Sequence, residues 1–248
     1  MNKYNIKLMK FNIKPNLSKI TNFNKITPLS FNNGDLINTC VFSLWTAHES
    51  YLMNNYNIGS NLIPETILHT LSLTWQYVGL FIISHDLHHN EEPTLYQNFL
   101  GRLSLFCYGG FLLEDFSKNH RLHHKYPGIN GKDPDFSDRN PIIWYFNFMI
   151  KYINIKQIIS QICIYNITKL YDIPNENLIF FWLIPSLLGS LQLFYFGTYL
   201  VHKENGKIKN SDLPDWLITL TSYNFGHHEN HHKYPKIPWY DLKRQIDM

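Results

Sequence analysis

Ten of the 13 histidines in this 248-residue chain fall in three windows totalling 16 residues. The windows are His85-Asp86-Leu87-His88-His89, His120-Arg121-Leu122-His123-His124 and His227-His228-Glu229-Asn230-His231-His232. On a helix, residues at i, i+3 and i+4 share a face. His85 and His89 therefore point together, as do His120, His123 and His124, and His228, His231 and His232. Neutral imidazole is a good ligand for iron, zinc, copper and nickel. Eight such nitrogens are too many for one tetrahedral ion and enough for two metal ions. His88 and His227 fall off this spacing. His48 and His69 stand alone and read as ordinary core histidines.

The elements that must carry these windows are apolar. Leu178–Val201 is 24 residues without a charge, and Thr66–Ser84 is 19 residues without Asp, Glu, Lys or Arg. Both reach the roughly 20 residues that a bilayer core requires. Leu36–Met53 is weaker, because His48 and Glu49 interrupt it. Residues 141–168 are interrupted by Lys151 and Lys156. Each run could also be a buried core helix, but two long charge-free runs in one chain favour a membrane. The first histidine window begins where the 19-residue run ends, and His202 follows the 24-residue run. Imidazole is costly inside lipid, so this places the metal chemistry at the membrane–water boundary.

A consistent topology follows. The first 34 residues carry Lys3, Lys7, Lys10, Lys14, Lys19 and Lys25 and no acid. They read as a basic arm, flexible or lying on a membrane surface, with a cytoplasmic start. Residues 35–248 form the catalytic domain. Helices near 36–53 and 62–84 go out and return, and Asn98–Phe116 is interfacial or re-entrant. A crossing within 141–170 and the run 178–201 then leave every histidine window on one side. The expected architecture is all-α: an integral, multi-pass membrane bundle of about four transmembrane helices plus interfacial helices, with a dimetal site facing the cytoplasm or stroma.

Composition excludes other classes. Apolar residues make up 44% and charged residues 17%, so this is no charge-rich disordered chain. A net charge of +3 gives no nucleic-acid footprint. Cys40, Cys107 and Cys163 lie far apart and form no CxxC pair, which argues against a zinc ribbon or a disulfide scaffold. A reducing compartment is the default.

The three windows, HDLHH, HRLHH and HHENHH, resemble those of the membrane-bound fatty acid desaturase and hydroxylase superfamily. Within it, the sequence is similar to the carotenoid ketolases. The first window has the ketolase form His85-Asp86 with His89. The second is followed by Pro127-Gly128 and Asp133-Pro134-Asp135-Phe136. The run Leu-Gln-Leu-Phe-Tyr-Phe-Gly-Thr-Tyr-Leu stands unbroken at 191–200, and His202 holds the place of a family histidine. Tyr223, Phe225 and Gly226 precede the third window, and Pro235, Pro238, Trp239 and Tyr240 follow it. The similarity covers about residues 35–243. The chain departs at Asn119, Val201, Asn224 and Asn230, none of which removes a window histidine.

The resemblance implies a di-iron (Fe2+) enzyme that uses O2 as co-substrate and takes electrons from a donor such as a ferredoxin system. Its substrate would be β-carotene. Two oxidations of the C4 methylene of a β-ionone ring would give a geminal diol that loses water, yielding echinenone and canthaxanthin. The implied metal ligands are His85, His89, His120, His123, His124, His202, His228, His231 and His232. Asp86, Asp133 and Asp135 are candidates to accept the other ring N–H of these histidines and fix their tautomer. Asp133-Pro134-Asp135 also reads as a turn with capping carboxylates. Phe194, Tyr195, Phe196 and Tyr199 suit either a polyene channel or helix packing. The rivals are a carotenoid hydroxylase or acyl-lipid desaturase with the same metal site, and a membrane metal-binding or transport protein.

Overall fold

The computed structural model describes residues 31–59 and 63–243, and the basic arm lies almost entirely outside them. No strand occurs among the described residues. The helices are α1 (Asn33–Asn55), α2 (Ile63–His88), α3 (Leu95–Gly109), α4 (Leu113–Lys125), α5 (Pro141–Tyr152), α6 (Ile155–Leu170), α7 (Asn175–His202), α8 (Asp215–Ser222) and α9 (His228–Lys233). Two short π segments, Leu178–Leu183 and Phe194–Tyr199, lie within α7.

Among the described residues, two helices, α2 and α7, are long and apolar enough to cross a membrane. They pack on each other and on α1 around Leu73, Tyr77, Leu80 and Phe181. The start of α7 is tied to the end of α1. The buried Asn177 amide donates to the carbonyls of Leu52 at 2.8 Å and Tyr56 at 2.9 Å. Helix α1 begins with a capping box, in which Asn32 and Asp35 each accept the other's backbone N–H.

The apolar stretch 98–116 is two helices folded as a hairpin. Gly110 takes the left-handed conformation (φ 72°) and ends α3. Helix α3 runs antiparallel to α2: Gly101 lies against Leu87, and Tyr108 meets Phe81 with ring centroids 5.5 Å apart. Helix α4 then returns, carrying His120–His124 back to the end of α2. Gly110 thus splits into two the stretch expected as one interfacial or re-entrant helix.

The crossing expected within 141–170 is not a single helix. Asn154 takes an extended conformation and caps α6 by accepting the backbone N–H of Gln157. The two pieces of 12 and 16 residues are roughly 18 and 24 Å long, each short of the roughly 30 Å of a bilayer core. No residue of α6 is buried. Several of its isoleucines are exposed, Ile155 with 67% of its surface and Ile158, Ile159 and Ile167 with about half.

Candidate metal centre

The histidines are delivered by helix ends. The last turn of α2 presents His85 and the residue after it is His89, and α4 presents His120, His123 and His124. His202 closes α7, and α9 is short and consists largely of the third window. The loops after the second window and after His202 are held together where Gly128 (φ 67°) meets Gly206, with the backbones in direct contact. A side chain on Gly128 would strike the Gly206 carbonyl.

Nine imidazoles meet in two groups. One holds His85, His89, His120, His124 and His231, the other His123, His202, His228 and His232, and within each group the ligand atoms lie within 4.8 Å of one another. The Nε2 atoms converge. His89 and His120 are separated by 2.7 Å, His124 and His231 by 3.1 Å, and His123 and His232 by 2.8 Å.

The opposite ring nitrogens of His85, His123 and His202 are anchored, whereas those of His228 and His231 are buried without a partner. His85 Nδ1 lies 3.2 Å from Asp86 Oδ1. His123 Nδ1 lies 2.9 and 3.1 Å from the two Asp133 oxygens. His202 Nδ1 donates to the Thr198 carbonyl at 2.8 Å. An Nδ1 that donates leaves a lone pair on Nε2. Lone pairs crowded this way repel unless a cation lies between them. The Nε2 atoms of His85 and His202 are buried without any hydrogen-bond partner. The residues therefore fit metal ions, with five and four nitrogen donors.

The electrostatics keep most of these rings neutral. Burial first, and neighbouring histidines second, lower His89 to about 3. Burial and then His123 lower His124 to about 4. His120, His228, His231 and His232 are pushed down for the same reasons. His123 is the exception. Burial opposes its protonation, but the Asp135 charge and the Asp133 hydrogen bond outweigh burial and raise it.

The three aspartates differ in their placement. Asp86 also accepts the Trp239 backbone N–H, linking His85 to the C-terminal segment. Asp133 accepts the N–H of Gly128 and of Asp135, so the turn geometry and the contact to His123 coexist in one carboxylate. Asp135 stands 3.9 Å from His123 Nδ1 and accepts the Tyr152 hydroxyl. His88 turns to the Ser117 hydroxyl at 2.9 Å, and His227 lies 3.6 Å from Asp215. Neither joins the two groups. The Thr198 carbonyl, the Trp239 N–H and Tyr152 were not foreseen. Backbone groups carry no residue-type signal, and Tyr152 lies beyond the windows.

A cavity of about 750 Å³ opens onto His85, His120, His123 and His228. Its wall runs along α7 from Thr198 to Leu178, roughly 30 Å at 1.5 Å per residue. Phe81, Phe116 and Phe225 line the imidazole end, and Ile162 and Tyr165 the far end. Phe194, Tyr195, Phe196 and Tyr199 do not line it. Phe194 packs on Trp144 and Phe148, and Tyr195 faces outward. Their role is packing.

The pattern of the fatty acid desaturase family matches residues 66–175 and 173–245. A β-carotene ketolase of Paracoccus sp. (strain N81106 / MBIC 01143) is 34% identical over 188 residues, covering 71% of this chain and 77% of that protein. A β-carotene ketolase of Haematococcus lacustris is 33% identical over 201 residues, 74% of this chain and 63% of that protein. A zeaxanthin 4-ketolase of Chlamydomonas reinhardtii is 31% identical over 189 residues, 70% of this chain and 42% of that protein. With its histidine cluster, its apolar cavity and these relatives, the chain belongs to the fatty acid desaturase family, on its carotenoid ketolase branch.

Proposed function

We infer that this chain is a membrane-embedded β-carotene 4-ketolase. The observation that carries the reading is the cavity, a slot roughly 30 Å long along α7 that ends on the imidazole cluster. Such a slot suits a rigid polyene with a ring at its end. Two irons held by His85, His89, His120, His123, His124, His202, His228, His231 and His232 would supply O2 activation and hydrogen removal at C4. Each oxidation consumes one O2, two electrons and two protons, and releases one water. The second gives a geminal diol, which loses water to become the ketone. Electrons come from an external donor such as a ferredoxin system.

The chain's own part is positional. Asp86, Asp133 and the Thr198 carbonyl hold ring Nδ1–H groups, so that Nε2 faces the metals. Phe81, Phe116 and Phe225 keep water from the reacting end. The protein is multi-pass, with the cluster on the cytoplasmic or stromal side. Support comes from α2 and α7, from the outward apolar face of α6, and from the lysines of the first 34 residues. A transport role fits poorly, because residues 178–201 hold no acid or histidine to line an ion path.

Expression in a bacterium that accumulates β-carotene tests the reading. Echinenone or canthaxanthin is expected by chromatography with mass detection, and the His123→Ala variant is expected to lose both. Zeaxanthin in their place would assign a hydroxylase. Unchanged β-carotene, with the protein confirmed in the membrane, would overturn the reading.

A further inference from the structure

The slot is largely apolar, with Gln157, Gln161, Ser186 and Ser190 among its polar lining, and at the imidazole end it contains a carboxylate–phenol pair. Asp135 and Tyr152 both line the cavity beside His123. The Tyr152 hydroxyl, at the end of α5, donates to Asp135 Oδ1 at 2.5 Å. The second oxygen, Oδ2, lies 3.9 Å from His123 Nδ1, too far for a hydrogen bond. Among the described residues no donor reaches it, and the Asp135 side chain keeps 13% of its surface exposed. Orienting His123 is not its task, because Asp133 grips the same Nδ1 with both oxygens. A hydrocarbon ring gives this acceptor nothing, and covering it without supplying a partner is costly.

What would satisfy it is a hydroxyl group on the reacting ring. Resting on the ketolase reading, the chemistry passes through such a species, since C4 must be oxidised twice and the first product is a secondary alcohol. We propose that Asp135 Oδ2, held in place by Tyr152, is the subsite that accepts the C4 hydroxyl of this alcohol and retains it for the second oxidation. The pair thereby decides whether the enzyme releases an alcohol or a ketone. The slot wall supplies affinity for the polyene, and the carboxylate supplies the preference for its oxygenated form.

Two readouts test this. The first is the ratio of 4-hydroxy to 4-keto product made from β-carotene. In Tyr152→Phe, which removes only the hydroxyl that fixes the carboxylate, and in Asp135→Asn, the ratio is expected to rise about tenfold or more. A tenfold change corresponds to about 1.4 kcal/mol, near the lower end of what a hydrogen bond to a charged group contributes. The second is binding of 4-hydroxy-β-carotene and of β-carotene to the metal-free full-length protein in detergent, read from the visible spectrum. Wild type is expected to prefer the alcohol, and both variants to lose the preference.

A product ratio unchanged in both variants while total conversion falls, or equal binding of the two carotenoids by wild type, would overturn the proposal. If wild type prefers the alcohol yet makes no ketone from either compound, the ketolase reading falls and the subsite stands.

Discussion

At the scale of single residues, the cluster is built from neutral rings around one exception. His123 alone among them is shifted upward, by the Asp135 charge and by Asp133, which grips it with both oxygens. Asp133→Asn is expected to lower metal affinity by about 10–100-fold, as the loss of such an orienting partner generally does. Metal retained after dialysis against a chelator measures it. The same change at Asp138, an exposed neighbour 3.9 Å from Arg139, is expected to leave retention unchanged. The neutral rings also set a pH dependence. His89 and His124 sit at about 3 and about 4 in the folded chain, against roughly 6.5 when unfolded. The unfolded state therefore binds more protons as pH falls below 6.5, and stability falls with it. His123 and Asp135 are shifted upward and pull the other way, but the lowered rings outnumber them. Metal-free protein is expected to unfold at a lower temperature at pH 5 than at pH 7. An equal or higher Tm at pH 5 would contradict the neutral-ring reading. These rings were legible in the sequence because spacing at i, i+3 and i+4 is a side-chain signal. The Thr198 carbonyl that orients His202 was not, because every residue has one.

At the scale of elements, hydropathy and turn chemistry give different information. Runs without charge were enough to find α2 and α7, whose length is continuous. They were not enough for 98–116 and 141–168, where the chain breaks inside an apolar stretch. Gly110 breaks the first by taking φ 72°, and Asn154 breaks the second by capping α6. Neither break lowers the mean hydropathy enough to be seen. The glycine is the more consequential, because the α3–α4 hairpin brings the second histidine window back to the first. Gly110→Ala would put a Cβ 3.1 Å from the Gln161 amide nitrogen and 3.2 Å from Ser160 Cβ. The left-handed conformation itself costs an L-residue about 1–2 kcal/mol. Gly110→Ala is thus expected to lower Tm and to reduce bound metal, although it touches no histidine. Unchanged metal content in a destabilised variant would show that the hairpin tolerates the strain without moving His120.

At the scale of the whole molecule, the arrangement is a slot with chemistry at one end. The imidazole cluster sits where α2, α4, α7 and α9 meet, and the slot leads away from it along α7. The lining is apolar along most of its length, so the fit is one of shape and length rather than of hydrogen bonds. This makes the position of an obstruction decisive. Ser186 lines the slot 12 residues before Thr198, roughly 18 Å from the reacting end along the helix. A tryptophan there would close the far half and leave the near half and the imidazoles untouched. Ser186→Trp is expected to cut oxidation of β-carotene at least tenfold with metal content unchanged. A truncated polyene with a single β-ionone ring, about half the length of β-carotene, is expected to be oxidised as well by the variant as by wild type. Equal losses for both compounds would mean that the change disturbed the metal end. Full activity toward β-carotene would mean that the polyene takes another path to the cluster, and that the length of the slot plays no part in choosing the substrate.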